Sequence, residues 1–291
     1  MKIFFLRRYE KIGHKIDETK VSVRQAIRVN TLKIGVSALA KRLSAKGVKV
    51  TRIPFVRDGF WVESSFSLSS TPEYLFGYFY MQEAASQVPV EVLDPKPGEL
   101  ALDMCACPGS KTTQTAALMK NMGVIVALDS NAARLDALNN NIERLGATQT
   151  IIFQKDAQYI DEEESREMFD RVLLDAPCSG NFVIEEDWFD KRTLEDIKAK
   201  SRVQKNLLRQ ASLVVKKGGT IVYGTCSLEP EEDEQVVEWG LENLPLRLER
   251  IVHPASKIAS PGVTQNTREC LRFWPDETGT QGFFVAKFIK I

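Results

Sequence analysis

No uninterrupted apolar run in this chain approaches the roughly 20 residues that a bilayer-spanning helix needs. The opening Met1-Lys2-Ile3-Phe4-Phe5-Leu6-Arg7-Arg8 is too short in apolar residues for a secretory leader, and no small-residue cleavage site follows it. These absences argue against a membrane partner and for a cytoplasmic protein. The five cysteines are an odd number and lack paired zinc spacing; Cys105-Ala106-Cys107 is a lone C-x-C. Reduced thiols and no metal are expected. Net charge is zero, which taken alone argues against a nucleic-acid binder. The loop around Lys111 is not a P-loop, because Ser110 and Cys105 stand where that motif requires glycine, and it does not read G-x-G-x-x-G either. There are no internal repeats and no coiled-coil seam, and a monomer is expected.

The charge that is present is unevenly spread. Residues 1–70 carry 15 Lys and Arg against five acids, so a front segment of +10 precedes a body of −10. A solvated basic surface would explain this, and so would a segment that meets phosphates.

The 291 residues divide by rhythm. Residues 1–80 read as a small α+β unit. Ala26 to Asn30 and Val48 to Ile53 are strand-like, Val36 to Lys46 has helical spacing stopped by Gly47, and Asp58-Gly59 turns into Phe60-Trp61-Val62. Thr71-Pro72-Glu73 begins a helix. After Asp94-Pro95-Lys96-Pro97-Gly98, residues 81–291 alternate strands with helices. The strands are Leu100–Met104, Val124–Leu128, Ile151–Phe153, Val172–Leu174 and Thr220–Tyr223; the helices include Asn131 to Leu145 and Thr193 to Val215. That alternation predicts a Rossmann-like, doubly wound, mostly parallel α/β sheet. Gly282 to Ile289 is expected to pair antiparallel at or near its edge. The acidic runs Asp161–Glu164 and Glu231–Glu234 are expected to be solvated helix starts.

Chemistry concentrates in loops after the strands, which in a parallel sheet share one edge. Cys178 lies in Asp175-Ala176-Pro177-Cys178-Ser179-Gly180 and Cys226 in Thr225-Cys226-Ser227. Cysteine is often a buried, inert small hydrophobe. The polar, turn-forming residues around these two favour exposed loops, where the thiols can meet. After the first strand comes Asp103-Met104-Cys105-Ala106-Cys107-Pro108-Gly109-Ser110-Lys111-Thr112, a Gly-poor loop before a helix. Asp129 ends the second strand and suits ribose hydroxyls; Asp156, after the third, suits an adenine edge. Each acid alone also reads as a helix cap. Together they suit a nucleoside cofactor without pyrophosphate, such as S-adenosylmethionine.

These residues resemble the RNA cytosine-C5 methyltransferases of the NOL1/NOP2/Sun family, and among them most nearly the archaeal tRNA enzymes. The likeness runs from Arg28-Val29-Asn30-Thr31 to Leu271-Arg272-Phe273-Trp274-Pro275 and the terminal strand. It implies a class I S-adenosylmethionine-dependent methyltransferase fold with an RRM-like N-terminal unit, acting on structured RNA, tRNA foremost, and not on DNA. By position it implies that Cys105, Ala106, Cys107, Pro108, Gly109, Ser110 and Lys111 hold the cofactor. Asp129 would bind its ribose with support from Arg134, and Asp156 its adenine. Asp175 would sit where cofactor and base meet, Cys226 would be the nucleophile, and Cys178 would assist release. Cys107 and Ser110 stand where the family usually has Ala and Gly, and Asp276 where many members have His. The N-terminal unit lacks aromatic RNP residues, so contact through Lys and Arg is expected there rather than base stacking.

The chemistry implied is covalent. A thiolate adding to C6 of cytosine makes C5 nucleophilic, the methyl group is accepted there, and a base near C5 then allows the adduct to collapse. Asp175 could donate to N3 if protonated. The base must leave its stack, which costs a few kcal/mol. Three other readings remain at this point. The same chemistry could act on rRNA instead of tRNA. A DNA enzyme would use Cys178 as nucleophile and leave the second loop unexplained. A non-catalytic RNA-binding factor would retain the fold without turnover.

Overall fold

The computed structural model of the chain describes residues 1–160 and 162–291; of the Asp161–Glu164 run, Asp161 lies outside what is described, and Glu162–Ser165 is a short helix with Glu163 exposed. Two sheets organise the chain. The smaller has the order β2-β3-β1-β4, all antiparallel, with β1 (Ala26–Val29), β2 (Lys49–Arg52), β3 (Gly59–Glu63) and β4 (Phe79–Met81). The helix Val36–Ser44 buries Leu39 and Leu43 against Ile27, Val29, Phe60 and Phe79 of this sheet. Gly47, at φ +83°, takes the left-handed conformation after it.

The larger sheet runs β11-β12-β13-β9-β8-β5-β6-β7. Its parallel half comprises β5 (Leu100–Asp103), β6 (Val124–Asp129), β7 (Thr150–Gln154), β8 (Phe169–Asp175) and β9 (Val215–Thr225). The antiparallel part holds β10 (Leu246–Leu248), β11 (Ser260–Pro261), β12 (Leu271–Phe273) and β13 (Phe283–Lys290). This is the doubly wound, mostly parallel sheet that the strand–helix alternation predicts, in the class I methyltransferase form that the family resemblance implies.

The terminal strand pairs antiparallel near the sheet edge, as expected: β13 lies between β9 on one side and β12 and β10 on the other. Phe283, Phe284, Val285, Ala286 and Phe288 are all buried, so both faces of the strand are covered by apolar packing. One expectation needs correction. The Glu231–Glu234 run is not solvated. Glu232, Asp233 and Glu234 have no exposed surface, because buried donors surround them, including Arg272 on Asp233 and Glu234.

The helix Ala132–Leu145 follows the expected pattern. Asn131 caps it by accepting from Ala133 N–H, Gly146 ends it at φ +74°, and Leu138 and Leu145 are its buried residues. The helix Leu194–Val214 opens with a reciprocal capping box between Thr193 and Asp196.

The small sheet is tied to the large unit by buried polar groups. Arg28 donates to Gln82, to Ser110 O (2.5 Å) and to Thr113 Oγ1 (2.9 Å). Asn30 donates to Gly77 O (2.8 Å) and Leu145 O (2.7 Å). Gly77 has φ +71°, and a Cβ there would collide with the carbonyl of Arg144. The Arg28–Thr31 signature thus works as a latch between units, and burial lowers the Arg28 pKa to about 9. The first helix, Lys2–Lys11, packs elsewhere: Phe5 and Tyr9 meet Trp188, Phe189, Leu228 and Trp274 beside the cysteine loops.

Candidate active site

The parallel register aligns the ends of β5, β6, β7, β8 and β9, so all five following loops open on one edge. A cavity of about 220 Å³ lies there, lined by Cys105, Asp129, Arg134, Asp156, Pro177 and Leu207, among others. Pro177 lines it, and the next residue, Cys178, lines a second cavity of about 290 Å³ together with Ser179, Lys191, Arg192, Asp196 and Lys200. Four of the expected cofactor residues therefore meet at the first cavity: Cys105, Asp129, Arg134 and Asp156. Ala106 to Lys111 and Asp175 are not on its wall.

Gly109 turns the β5 loop into the helix Ser110–Leu118 at φ +103°, and a Cβ there would press on Leu138 at 2.9 Å. Asp129 holds the loop in place. Its Oδ2 accepts from Cys107 N–H (3.2 Å) and its Oδ1 from Asn131 N–H (3.0 Å). Arg134 closes the arrangement by donating to Cys107 O (2.7 Å). Asp156 accepts from Gln158 N–H (2.9 Å), so it caps a turn and also faces the cavity. The Cys105 thiol is pushed up by burial, as is that of Cys107, and neither suits a nucleophile. Asp103 is buried; its Oδ2 accepts from Thr112 Oγ1 (2.7 Å), and its Oδ1 has no partner. Burial raises its pKa to about 6. An unsatisfied acidic oxygen at the loop's start, with two carboxylates on the cavity wall, suits a cofactor that presents an ammonium and ribose hydroxyls.

Lys111 points the other way. Its Nζ donates to Asp175 Oδ2 (2.5 Å) and Ser86 Oγ (3.1 Å), and it sits 5.2 Å from the centre of the Phe283 ring. Asp175 is thereby one half of an ion pair at the end of β8.

The two cysteine loops converge. Cys178 Sγ and Cys226 Sγ are 2.8 Å apart, both thiols are free, and both are half-buried. The Cys178 thiol is pushed far above its ordinary range by its hydrogen bond to Cys226 and then by burial. A thiol so disposed keeps its proton, which speaks against Cys178 as the attacking sulfur.

Two residues that brace this geometry went unnoticed in the sequence. Asn181 Nδ2 donates to Cys226 O (2.7 Å) and Gln281 O (2.9 Å). Glu232, from the supposedly solvated run, accepts from both loops. A serine directly after each cysteine, followed by a cluster of acids, was the available signal. The Asp276 departure also finds its partner. His14 stacks on Trp274 with centroids 4.3 Å apart and pairs with Asp276 at 2.9 Å, so an imidazole reaches this corner from the N-terminal segment.

A family model described as 16S rRNA methyltransferase RsmB/F matches residues 90–289, and one described as the N-terminal domain of 16S rRNA methyltransferase RsmF matches residues 5–84. The chain belongs to the RsmB/F family. This is the NOL1/NOP2/Sun group that the cysteine loops resemble, and the methyl donor of this fold and family is S-adenosylmethionine. Ribosomal RNA small subunit methyltransferase F of Shewanella loihica is 37% identical over 289 residues, covering 92% of this chain and 57% of its own length. A mouse 28S rRNA (cytosine-C(5))-methyltransferase is 40% identical over 280 residues, 91% of this chain and 35% of its own length. The chain thus spans little more than half of the bacterial RsmF relative. A methyltransferase homolog from Pyrococcus horikoshii superposes with a TM-score of 0.85 at 37% identity, covering 99% of both chains. NSun6 from the same organism, solved with the S-adenosylmethionine analogue SFG, gives 0.86 at 27% identity, with 98% and 97% coverage. Among the described residues no helix is long and apolar enough to cross a membrane, and no cluster of His, Cys, Asp or Glu could hold a metal ion.

Proposed function

We propose that this RsmB/F chain methylates C5 of cytosine in structured RNA through a transient bond between Cys226 and C6 of a flipped base. The observation that carries this is the contact between Cys178 and Cys226 beside a cavity edged by Asp129 and Asp156.

In this reading Asp129, Arg134 and Asp156 hold S-adenosylmethionine, with Cys105 on the wall. Ala106 to Ser110 shape the loop, and Asp103 accepts from the amino group. When bound, the cofactor supplies an electrophilic methyl carbon. Cys226 forms the S–C6 bond, and the ring's electron pair moves to C5. Lys111 and Asp175 form a fixed polar pair at the mouth of the base site. As an ion pair Asp175 accepts hydrogen bonds, so contact with an amino group of the base fits better than the N3 donation first expected. After transfer the C5 proton leaves to a base beside Cys178 and the S–C6 bond breaks, restoring the thiolate.

The residues 1–80 form the proposed RNA-binding unit and 81–291 the catalytic one. Of the 15 Lys and Arg in the first 70 residues, Arg28 is buried, and most others, including Arg7, Lys11, Lys15, Arg24 and Lys41, are exposed. They would supply salt-sensitive phosphate contacts. The named curated relatives act on rRNA by their names; the tRNA reading rests on the resemblance to archaeal enzymes. Incubating the protein with labelled S-adenosylmethionine and unmodified transcripts of small-subunit rRNA, large-subunit rRNA or tRNA tests both. Label in 5-methylcytosine of one class assigns the substrate; label in none overturns the proposal.

A further inference from the structure

The two cysteine loops come from β8 and β9, which belong to different stretches of chain 48 residues apart. Something must hold their tips in register. Strand pairing ends at Asp175 opposite Gly224, short of both cysteines. Beyond that point the loops are joined by side chains, and one carboxylate receives most of the bonds.

Glu232 has no exposed surface. Its Oε2 accepts from Ser179 N–H (3.0 Å) and from Gln204 Nε2 (2.7 Å). Its Oε1 accepts from Ser179 Oγ and from Ser227 Oγ (3.1 Å). Ser179 directly follows Cys178, and Ser227 directly follows Cys226. Gln204 also donates to Pro177 O (3.1 Å), which adds the residue before Cys178 to the same network. The carboxylate is itself anchored, because Tyr223 Oη donates to the Glu232 carbonyl at 2.5 Å. On the opposite side Asn181 bonds the carbonyl of Cys226.

We infer that Glu232 is a positioning residue for the methyl-transfer reaction: it clamps the residue after each cysteine to one buried carboxylate and so fixes the Cys226 sulfur against the target base with the Cys178 sulfur beside it. It touches neither base nor cofactor. A carboxylate suits the task because it can accept several hydrogen bonds at once and offers no donor that would compete. An amide of the same size could keep part of this network, its oxygen toward Ser179 N–H and Gln204 and its nitrogen donating to the two serine hydroxyls, so only removal of the whole head group breaks the clamp. The sub-ångström tolerance of a bond-forming thiolate is what makes such a brace matter.

The inference rests on the covalent mechanism proposed above, and its test separates the two. RNA transcripts of both rRNA and tRNA made with 5-fluorocytidine trap the Cys226–C6 adduct, because fluorine at C5 leaves no proton to remove. The adduct is read as a denaturation-resistant protein–RNA band. If the wild type gives no band with any transcript, the proposed function fails. If it does, Glu232→Ala is compared at saturating RNA. The expected result is adduct formation slower by about tenfold or more, with RNA KM and S-adenosylmethionine Kd unchanged. Adding Ser227→Ala to Glu232→Ala should slow it no further. A folded Glu232→Ala protein whose adduct rate stays within about twofold of wild type overturns the clamp. Should Glu232→Ala fail to fold, Ser179→Ala and Ser227→Ala each remove one strut. Slower adduct formation in both supports the inference, and wild-type rates in both overturn it.

Discussion

The sulfur of Cys226 lies 2.8 Å from that of Cys178, and this contact, with burial, pushes the Cys178 thiol well above its ordinary range. Cys226→Ala is expected to abolish methyl transfer while leaving S-adenosylmethionine affinity intact, as read by calorimetry. Cys178→Ala should still form the bond to C6 but release it slowly, so that a protein–RNA adduct accumulates on denaturing gels. Near-normal turnover of Cys226→Ala would remove it from the role of nucleophile.

Lys111 belongs by sequence to the cofactor loop and by geometry to Asp175. Lys111→Met should lower the single-turnover rate on the order of 100-fold, as expected for loss of a fixed charge beside the reacting ring. Cofactor affinity should change little, because the side chain is not on the cavity wall. A large loss of cofactor binding with an unaltered rate would reverse the assignment.

Burial raises the pKa of the Asp103 carboxyl to about 6 in the folded protein. A raised acid binds its proton more tightly in the folded state. Its contribution favours folding below the unfolded value and is lost as pH climbs from about 4 to about 6, a swing of up to about 3 kcal/mol. Other buried acids, Glu229 among them, slope over an overlapping range, so denaturant titrations of wild type and Asp103→Asn across pH 4–8 should differ by this amount, with the steeper loss in the wild type. Equal pH profiles would exclude it.

Arg28 is expected to matter for stability more than for RNA affinity. Arg28→Met leaves Ser110 O and Thr113 without their donor and should destabilise the fold by about 1–3 kcal/mol. Nitrocellulose-filter binding of RNA under native conditions should change far less than the melting temperature. The opposite pattern would make Arg28 an RNA contact.

Arg7 and Lys11 lie one turn apart on the exposed side of the first helix, whose other side packs near the cysteine loops. Reversing both to Glu should weaken RNA binding and reduce the slope of log K against log salt by about two. An unchanged salt slope would show that this helix meets no phosphates.

The sequence was most legible where one residue does one thing in a recognisable place. Asp129 and Asp156 end strands whose apolar runs are plain, and both face the cavity. The alternation of strand and helix likewise forecast the parallel sheet. Legibility failed where burial depends on distant partners. Glu232, Asp233 and Glu234 look hydrophilic in a row, and only the arrival of Arg272, Ser179 and Gln204 from elsewhere makes a buried site tolerable to them. Lys111 failed for a related reason: its neighbours in sequence face the cofactor loop, but a long side chain can leave its loop and serve the next strand. The absence of a helix after the terminal segment placed β13 near the sheet edge, and it sits there with β12 and β10 beyond it; its run of Phe and Val marks the packing that covers both faces.

That strand has a consequence for how the protein comes into being. β9, which carries Cys226 at its tip, borders β13 from Thr220 to Thr225. β5 through β9 precede Phe283 in the chain, so during synthesis the strand that leads to the Cys226 loop waits with one side open. Such an open side can take up a wrong neighbour. Pairing with β13 closes that side from Thr220 to Thr225, next to the loop that carries the sulfur.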